Sequence, residues 1–178
     1  MIKLVPFEEG YLETYREWIN DPEVMSWLVR SSTVTRQEHR AWYQRMLEDR
    51  STLVRAITTA DGCYIGNAWL WGIDWIHRKA ETRIVIGPRE NRSKGFGAEA
   101  LIAMVDIAFK QLNLHRLYAY IRADNDRALK SFAKAGFKVE GTLRSDRFVD
   151  GGYIDMVLVA KLRMVEVSRP RIAGGESA

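Results

Sequence analysis

A single cysteine, Cys63, four prolines and three histidines leave this 178-residue chain short of the residues that staple or cage a fold. One thiol makes neither an internal disulfide nor a zinc cage, and it fits a reducing compartment. His39, His77 and His115 stand at no metal-ligand spacing, so no metal is expected. Long hydrophobic runs are also missing. The longest central stretch without a charge, Gly62 to Ile73, is too short to span a bilayer and contains Asn67 and glycines. The opening residues Met1-Ile2-Lys3-Leu4-Val5-Pro6 form no apolar segment of signal-peptide length. The expectation is a soluble cytoplasmic protein with no membrane association. Nor is there a strong charge of one sign. Lys and Arg number 27 and Asp and Glu 23, a net +4. That surplus suits an anionic ligand but is too small for the footprint of a nucleic-acid binder. What remains is an ordinary globular balance, 47% apolar and 28% charged, which excludes disorder, collagen and coiled coil. The length suits one domain with a real core.

Residues 2–7 read as a short strand. Leu12, Tyr15 and Ile19 follow at helical spacing, and Asp21-Pro22 stops that helix. Thr35-Arg36-Gln37-Glu38 is a capping box that opens a second helix, with Trp42, Tyr43 and Met46 inward and an end near Arg50. The period then changes. Residues 52–59 and 63–71 read as strands joined by the turn Asp61-Gly62. Glu81 to Gly87 alternates Thr82, Ile84 and Ile86 against Glu81, Arg83 and Val85. A basic loop leads to a helix whose buried stripe is Leu101, Val105, Ala108 and Leu112. A strand at 116–122, a short helix from Asp126 to Ala135 and two strands near 138–148 and 153–162 complete the pattern. The predicted architecture is α/β (α+β): a mixed sheet with helices packed on it. One domain spans residues 1–167, and breaker-rich residues 168–178 read as a flexible tail.

The informative segment is Arg92-Ser93-Lys94-Gly95-Phe96-Gly97-Ala98, at a strand-to-helix junction. A helix start presents free N–H groups and the positive end of its dipole. Gly95 and Gly97 permit close backbone approach, and Arg89, Arg92 and Lys94 add cations against one acid, Glu90. Together they form a cradle for phosphate or pyrophosphate. The P-loop pattern is absent. Gly95-x-Gly97-x-x-Ala100 matches the dinucleotide fingerprint, but it follows a long loop, comes after two helices and three strands, and lacks a downstream ribose-binding acid.

Arg92-x-x-Gly95-x-Gly97 resembles the Arg/Gln-x-x-Gly-x-Gly/Ala acyl-CoA signature of the GCN5-related N-acetyltransferase (GNAT) family. The run Gly95 to Leu101 is similar to the branch with ribosomal-protein N-terminal acetyltransferases and spermidine acetyltransferases. The resemblance continues through Ile76 to Glu81, Leu114 to Leu117, Asn125 to Ala128 and Gly136 to Gly141, covering about residues 2–162. It implies a mostly antiparallel central sheet of about seven strands flanked by about four helices. It also implies acetyl-CoA as co-substrate and direct transfer to a primary amine, with no acyl-enzyme. The pyrophosphate would sit on the amides of Arg92, Ser93, Lys94, Gly95, Phe96, Gly97 and Ala98. The pantetheine arm would pair with the backbone near Val85 and Ile86.

Asn125, a good helix N-cap before Asp126, matches an asparagine that also contacts the CoA arm. Lys134 matches a position that meets CoA phosphates, though it also reads as a solvated helix lysine. Glu81 matches a carboxylate often assigned as base, acting through water; a solvated edge glutamate is its plainer reading. Many relatives protonate the leaving thiolate from a tyrosine seven residues after the asparagine, where this chain has Phe132. Ser131, Tyr120, Tyr153 or water would then supply the proton, or none is needed. Cys63 reads as a small packed residue and His115 as a packing residue.

Trp69, Trp71 and Trp75, at odd spacing, would share a face as core or as an acceptor wall. A polyamine acceptor needs clustered carboxylates. The connector Val24 to Val34 has none, and Arg30 would repel, so spermidine is disfavoured. A protein N-terminus or a neutral-to-anionic amine, such as an amino sugar, stays open. An acyl-CoA-binding module without turnover is the alternative class. Resemblance further implies a homodimer.

Overall fold

β-Branched and aromatic runs separated by turns build seven strands into one sheet of order β1-β2-β3-β4-β5-β7-β6. The computed structural model describes residues 1–149 and 151–164. The strands are β1 (Ile2–Pro6), β2 (Leu53–Thr59), β3 (Tyr64–Asp74), β4 (Lys79–Ile86), β5 (Arg116–Arg122), β6 (Lys138–Val149) and β7 (Gly152–Leu162). Every pairing is antiparallel except β4 with β5. The mixed, mostly antiparallel sheet expected from the sequence is therefore present. The domain limit at 167 and the tail at 168–178 lie outside the described residues.

Helices α1 (Leu12–Asn20), α2 (Pro22–Trp27) and α3 (Arg36–Glu48) precede the hairpins; α4 (Phe96–Asp106) and α5 (Asp126–Lys134) follow. Among the described residues that is five α-helices where the sequence predicts about four. The additional one is α2. Asp21-Pro22 ends α1 as read, but the Asp21 carboxylate accepts from the amides of Glu23 and Val24, so the same dipeptide starts a new helix. The capping box is formed: Glu38 N–H donates to Thr35 Oγ1, and the Thr35 amide donates to Glu38 Oε2.

The two faces of the sheet carry separate cores. Leu101, Met104 and Ala108 of α4 and its extension pack with Ile57, Leu70 and Leu117 on one side, all fully buried. Leu101→Ala there would cost about 2–5 kcal/mol, the range for truncating a buried leucine. Tyr15 and Ile19 of α1 and Tyr43 of α3 pack with Phe7, Trp69 and Val85 on the other side. This second layer is aromatic: Phe7 meets Tyr15 edge-on at 6.0 Å, and Tyr15 lies 5.5 Å from Trp69.

Three side-chain expectations are corrected. Cys63 is exposed at the β2–β3 turn, because that turn projects past both cores. His115 is exposed too; its amide, not its ring, ties the chain to the Arg78 carbonyl. The tryptophans do not form one wall. Trp69 is buried against Tyr15 and Trp71 lies under Arg83, but a register shift between Trp71 and Asp74 breaks the alternation. Trp75 falls beyond β3, and its indole N–H donates to the Arg50 carbonyl at 3.2 Å.

Candidate active site

β4 and β5 run parallel for three ranks, Lys79 with Arg116, Ala80 with Leu117 and Glu81 with Tyr118, and no pairing continues past them. Beyond that point β4 still pairs with β3, and β5 with β7, so the sheet is split at its centre. Backbone groups along such a split can accept an extended ligand as a strand would. A cleft of about 500 Å³ opens there, within the range of small-molecule sites.

One end of the cleft is the start of α4. Gly95 is its N-cap, held at φ +87°, a left-handed conformation that favours glycine. The amides from Ser93 to Ala98 reach no acceptor among the described residues. Six consecutive free N–H groups at the positive end of a helix dipole suit a pyrophosphate. Gly97 also lines the cleft; a Cβ there would make only ordinary contacts, the nearest to Ser131 Oγ at 3.7 Å and Ile84 Cδ1 at 3.9 Å. The residues present therefore fit the phosphates of an acyl-CoA.

The Arg92 side chain has a different job from the one its charge implies. It is largely buried. Nε and Nη2 donate to the carbonyls of Ile86 and Gly87, at 3.3 and 2.6 Å, and Nη1 lies 2.9 Å from Glu23. It holds the loop against β4 and α2, and the loop amides are left to face the ligand. Trp18 presses on the same corner: a Cβ on Gly87 would fall 1.9 Å from its ring.

Val85, Ile86, Arg92, Gly95, Gly97 and Asn125 all line the cleft, as do Glu81, Tyr120 and Ser131. Asn125 Oδ1 accepts from the Ala128 amide at 3.0 Å, so it caps α5 from the cleft wall. Ser131 Oγ donates to the Arg127 carbonyl. Lys94, Phe96, Ala98 and Lys134 are not cleft-lining side chains. Phe96 packs on the main core, Ala98 is buried, and both lysines are exposed. Tyr153 lies outside the cleft, 70% exposed and edge-on to Phe148 at 5.1 Å. Phe132 is buried, with its ring edge-on to Phe137 at 5.0 Å and its other side at the cleft.

Glu81 sits where the strands part, between its cross-strand neighbours Trp71 and Tyr118. Arg83, two residues on, grips it with two bonds, Nε to Oε1 at 2.7 Å and Nη2 to Oε2 at 3.0 Å. The guanidinium of Arg83 in turn lies over Trp71 at 5.2 Å. Burial, with the nearby Glu81 carboxylate as a second cause, pushes the Tyr118 phenol up.

Among the lining residues to which the sequence alone assigns no site role are Trp27, Arg83, Arg122 and Arg147. Arg122 was available from strand alternation, two places after Tyr120. It donates to the Ser26 carbonyl, pairs with Asp124 and lies 5.2 Å over Trp27, so it clamps α2 to the sheet. Arg147 was not available, because it follows a register shift in β6 at which Ser145 adopts φ +51°. Asp155 secures that bulge by accepting the Ser145 amide at 2.7 Å. Among the described residues there is no cluster of three or more metal-ligating side chains, and no helix is long and apolar enough to cross a membrane.

Residues 2–138 match the model of the acetyltransferase (GNAT) domain. Spermidine N(1)-acetyltransferase of Escherichia coli (strain K12) is 32% identical over 152 residues, 85% of this chain and 81% of that protein. The Vibrio cholerae enzyme of the same name is 29% identical over 155 residues, 87% and 89% of the two chains. A crystal structure of the V. cholerae spermidine N-acetyltransferase with CoA and spermine superposes with a TM-score of 0.86 at 28% identity, covering 90% of this chain and 95% of that one. The split sheet, the free amides at α4 and these matches agree: the chain belongs to the GNAT acetyltransferase family and is an acetyl-CoA-dependent N-acetyltransferase.

Proposed function

We propose that the acetyl group passes directly to a primary amine, carried by a small molecule or a protein N-terminus, in the cleft between β4 and β5. One observation carries this reading: Glu81 and Tyr120 line the same cleft as the free amides of the α4 loop. When bound, acetyl-CoA supplies an activated thioester. The amine nitrogen forms a bond to the acetyl carbon as the carbon–sulfur bond breaks. An amine that arrives as ammonium loses two protons, one before attack and one as the amide forms. The departing sulfur gains one and the other is released to solvent; it is the first loss that needs a base. Glu81 takes the proton through a water, since Arg83 already occupies both carboxylate oxygens. Tyr120 returns one to the thiolate. Of the hydroxyls considered, Tyr153 stands outside the cleft and the Ser131 proton is engaged by the Arg127 carbonyl.

A polyamine acceptor is the reading favoured by the names of the bacterial relatives. Against it, among the described residues the cleft offers one carboxylate, Glu81, and that one is paired with Arg83. Homo-oligomer formation, with the homodimer as its simplest form, is supported by the dodecameric structure of the V. cholerae spermidine N-acetyltransferase; a cytoplasmic location is part of the same proposal. The test follows thiol release and the mass of the product across a panel of primary amines. Acceptor-dependent release with one added acetyl group supports the proposal. Thioester consumption that ignores the acceptor, or binding without turnover, refutes it.

A further inference from the structure

Charge along the cleft is lopsided. Among the described residues its lining holds Glu81 as the only carboxylate and five arginines: Arg83, Arg92, Arg122, Arg127 and Arg147. Two of these have duties elsewhere: Arg92 ties down the donor loop and Arg122 clamps α2. Arg127 is exposed in the first turn of α5, two places after Asn125, on the side of the cleft matched to the CoA arm. Arg83 and Arg147 remain. Arg83 spends Nε and Nη2 on Glu81 and keeps Nη1 available. Arg147 spends only Nε, on Asp146 at 3.0 Å, and is half exposed. Neither residue's remaining guanidinium N–H groups have a partner among the described residues. The β6 bulge is what brings Arg147 to the cleft, and Asp155 fixes that bulge. A bulge that re-aims one side chain into a site is a built feature.

We propose that the acceptor is a primary amine bearing an anionic group, phosphate or carboxylate, which Arg147 and the free edge of Arg83 bind while the amine lies near Glu81. This inference rests on the transferase reading above and separates this chain from its polyamine-acetylating relatives by the sign of the acceptor's charge. A planar guanidinium with two adjacent free N–H groups matches the paired oxygens of either anion. A polycation would meet two guanidinium groups and no unpaired carboxylate.

The test compares matched acceptors at equal free-base concentration: glucosamine 6-phosphate with glucosamine, β-alanine with β-alaninamide, and spermidine alone. The anionic member of at least one pair is expected to exceed its neutral partner by about tenfold or more in kcat/KM, the scale of one charge-assisted hydrogen bond. The first pair reports on phosphate and the second on carboxylate. The advantage should shrink with salt, since both arginines are partly exposed. Arg147→Glu should erase the advantage and raise activity on spermidine; Arg147→Gln should weaken it without reversal. Higher kcat/KM for spermidine in the parent, or pair ratios near one, would overturn the acceptor assignment and leave the transferase intact. An advantage that survives Arg147→Glu unchanged would overturn it as well. Absence of turnover with every amine, while acetyl-CoA still binds by calorimetry, would overturn the transferase reading and this one with it.

Discussion

Glu81 and Tyr118 face each other in the last paired rank of β4 and β5. The strands part immediately beyond them, so a carboxylate stands at the apex of the cleft, gripped by Arg83. That position suits the glutamate to the base role proposed for it. Glu81→Gln keeps the shape but cannot take a proton. We expect kcat near pH 7 to fall by about 10²-fold, the scale of general-base catalysis, with acetyl-CoA affinity unchanged. The deficit should shrink as pH approaches the amine's pKa and free base accumulates. A variant profile parallel to the parent's across that range would remove Glu81 from the mechanism.

Under the proposed mechanism Tyr120 supplies the proton that Phe132 cannot. It is 37% exposed in the cleft, and its ring meets Tyr118 edge-on at 5.9 Å. Tyr120→Phe removes the phenol and little else. A fall of about tenfold or more in kcat is expected with unchanged acetyl-CoA binding. Ser131→Ala should leave kcat within about twofold, because its proton already serves the Arg127 carbonyl. Single-turnover rates of the two variants decide between the hydroxyls, and a larger loss for Ser131→Ala would reverse the assignment.

Gly97 separates space from charge. The nearest atom to an added Cβ is ordinary contact distance away, so Gly97→Ala should fold and lose little acetyl-CoA affinity. Gly97→Asp adds a carboxylate that competes for the free amides and repels phosphate. Its acetyl-CoA Kd should rise by at least about tenfold, although an acid at a helix start stabilises the helix itself. Calorimetry and a melting curve on the same sample separate the two effects. Unaltered affinity in Gly97→Asp would move the phosphate site elsewhere.

Asn125 has a structural duty that can be isolated. Its Oδ1 caps α5 through the Ala128 amide, and its side chain faces the cleft. Asn125→Ala should lose about 1 kcal/mol of stability along with ligand contact. Asn125→Asp keeps the cap, so its stability should hold while its charge weakens acetyl-CoA binding. Equal melting temperatures for all three proteins would show that the cap carries no weight.

Much of this was legible in the residues because local rules agreed with the fold. Thr35 to Glu38 capped a helix as read, and Thr82, Ile84 and Ile86 alternated with Glu81, Arg83 and Val85 as the strand requires. The donor end was legible for the same reason, since a glycine loop and a helix start are neighbours in sequence. The acceptor end was not. Its residues come from α2, β4, β5 and β6, and they meet only through the sheet order. Two irregularities hid the rest: the Asp21 cap that restarts a helix, and the β6 bulge that turns Arg147 into the cleft. Arg92 taught a further lesson. Its charge was visible in the sequence, but its partners, two carbonyls and Glu23, were not.

His39 makes stability depend on pH in a defined window. It is 3% exposed, stacked on Trp42 at 5.2 Å and 5.3 Å from Tyr15, inside the layer that packs α1 and α3 on the sheet. Burial, helped by the nearby Arg16, lowers its pKa from 6.5 to about 4. The imidazole is thus neutral in the folded protein at pH 6, while the unfolded chain begins to protonate it there. Between about pH 6.5 and 4 the unfolded state binds more protons, so stability falls as pH falls and is complete above that window. Each pKa unit corresponds to about 1.4 kcal/mol, giving a loss on the order of 3 kcal/mol. Glu13, held down to about 2 by Arg16 and Arg36, loses its contribution only as pH falls from its ordinary value, 4.5, toward 2, so the two windows barely overlap. Urea unfolding of the parent and of His39→Gln from pH 8 to 4 reads the difference directly. The parent's extra slope should appear below pH 6.5 and vanish in the variant; matching slopes would mean that the imidazole is charged in the folded state or that the helix layer opens before it titrates.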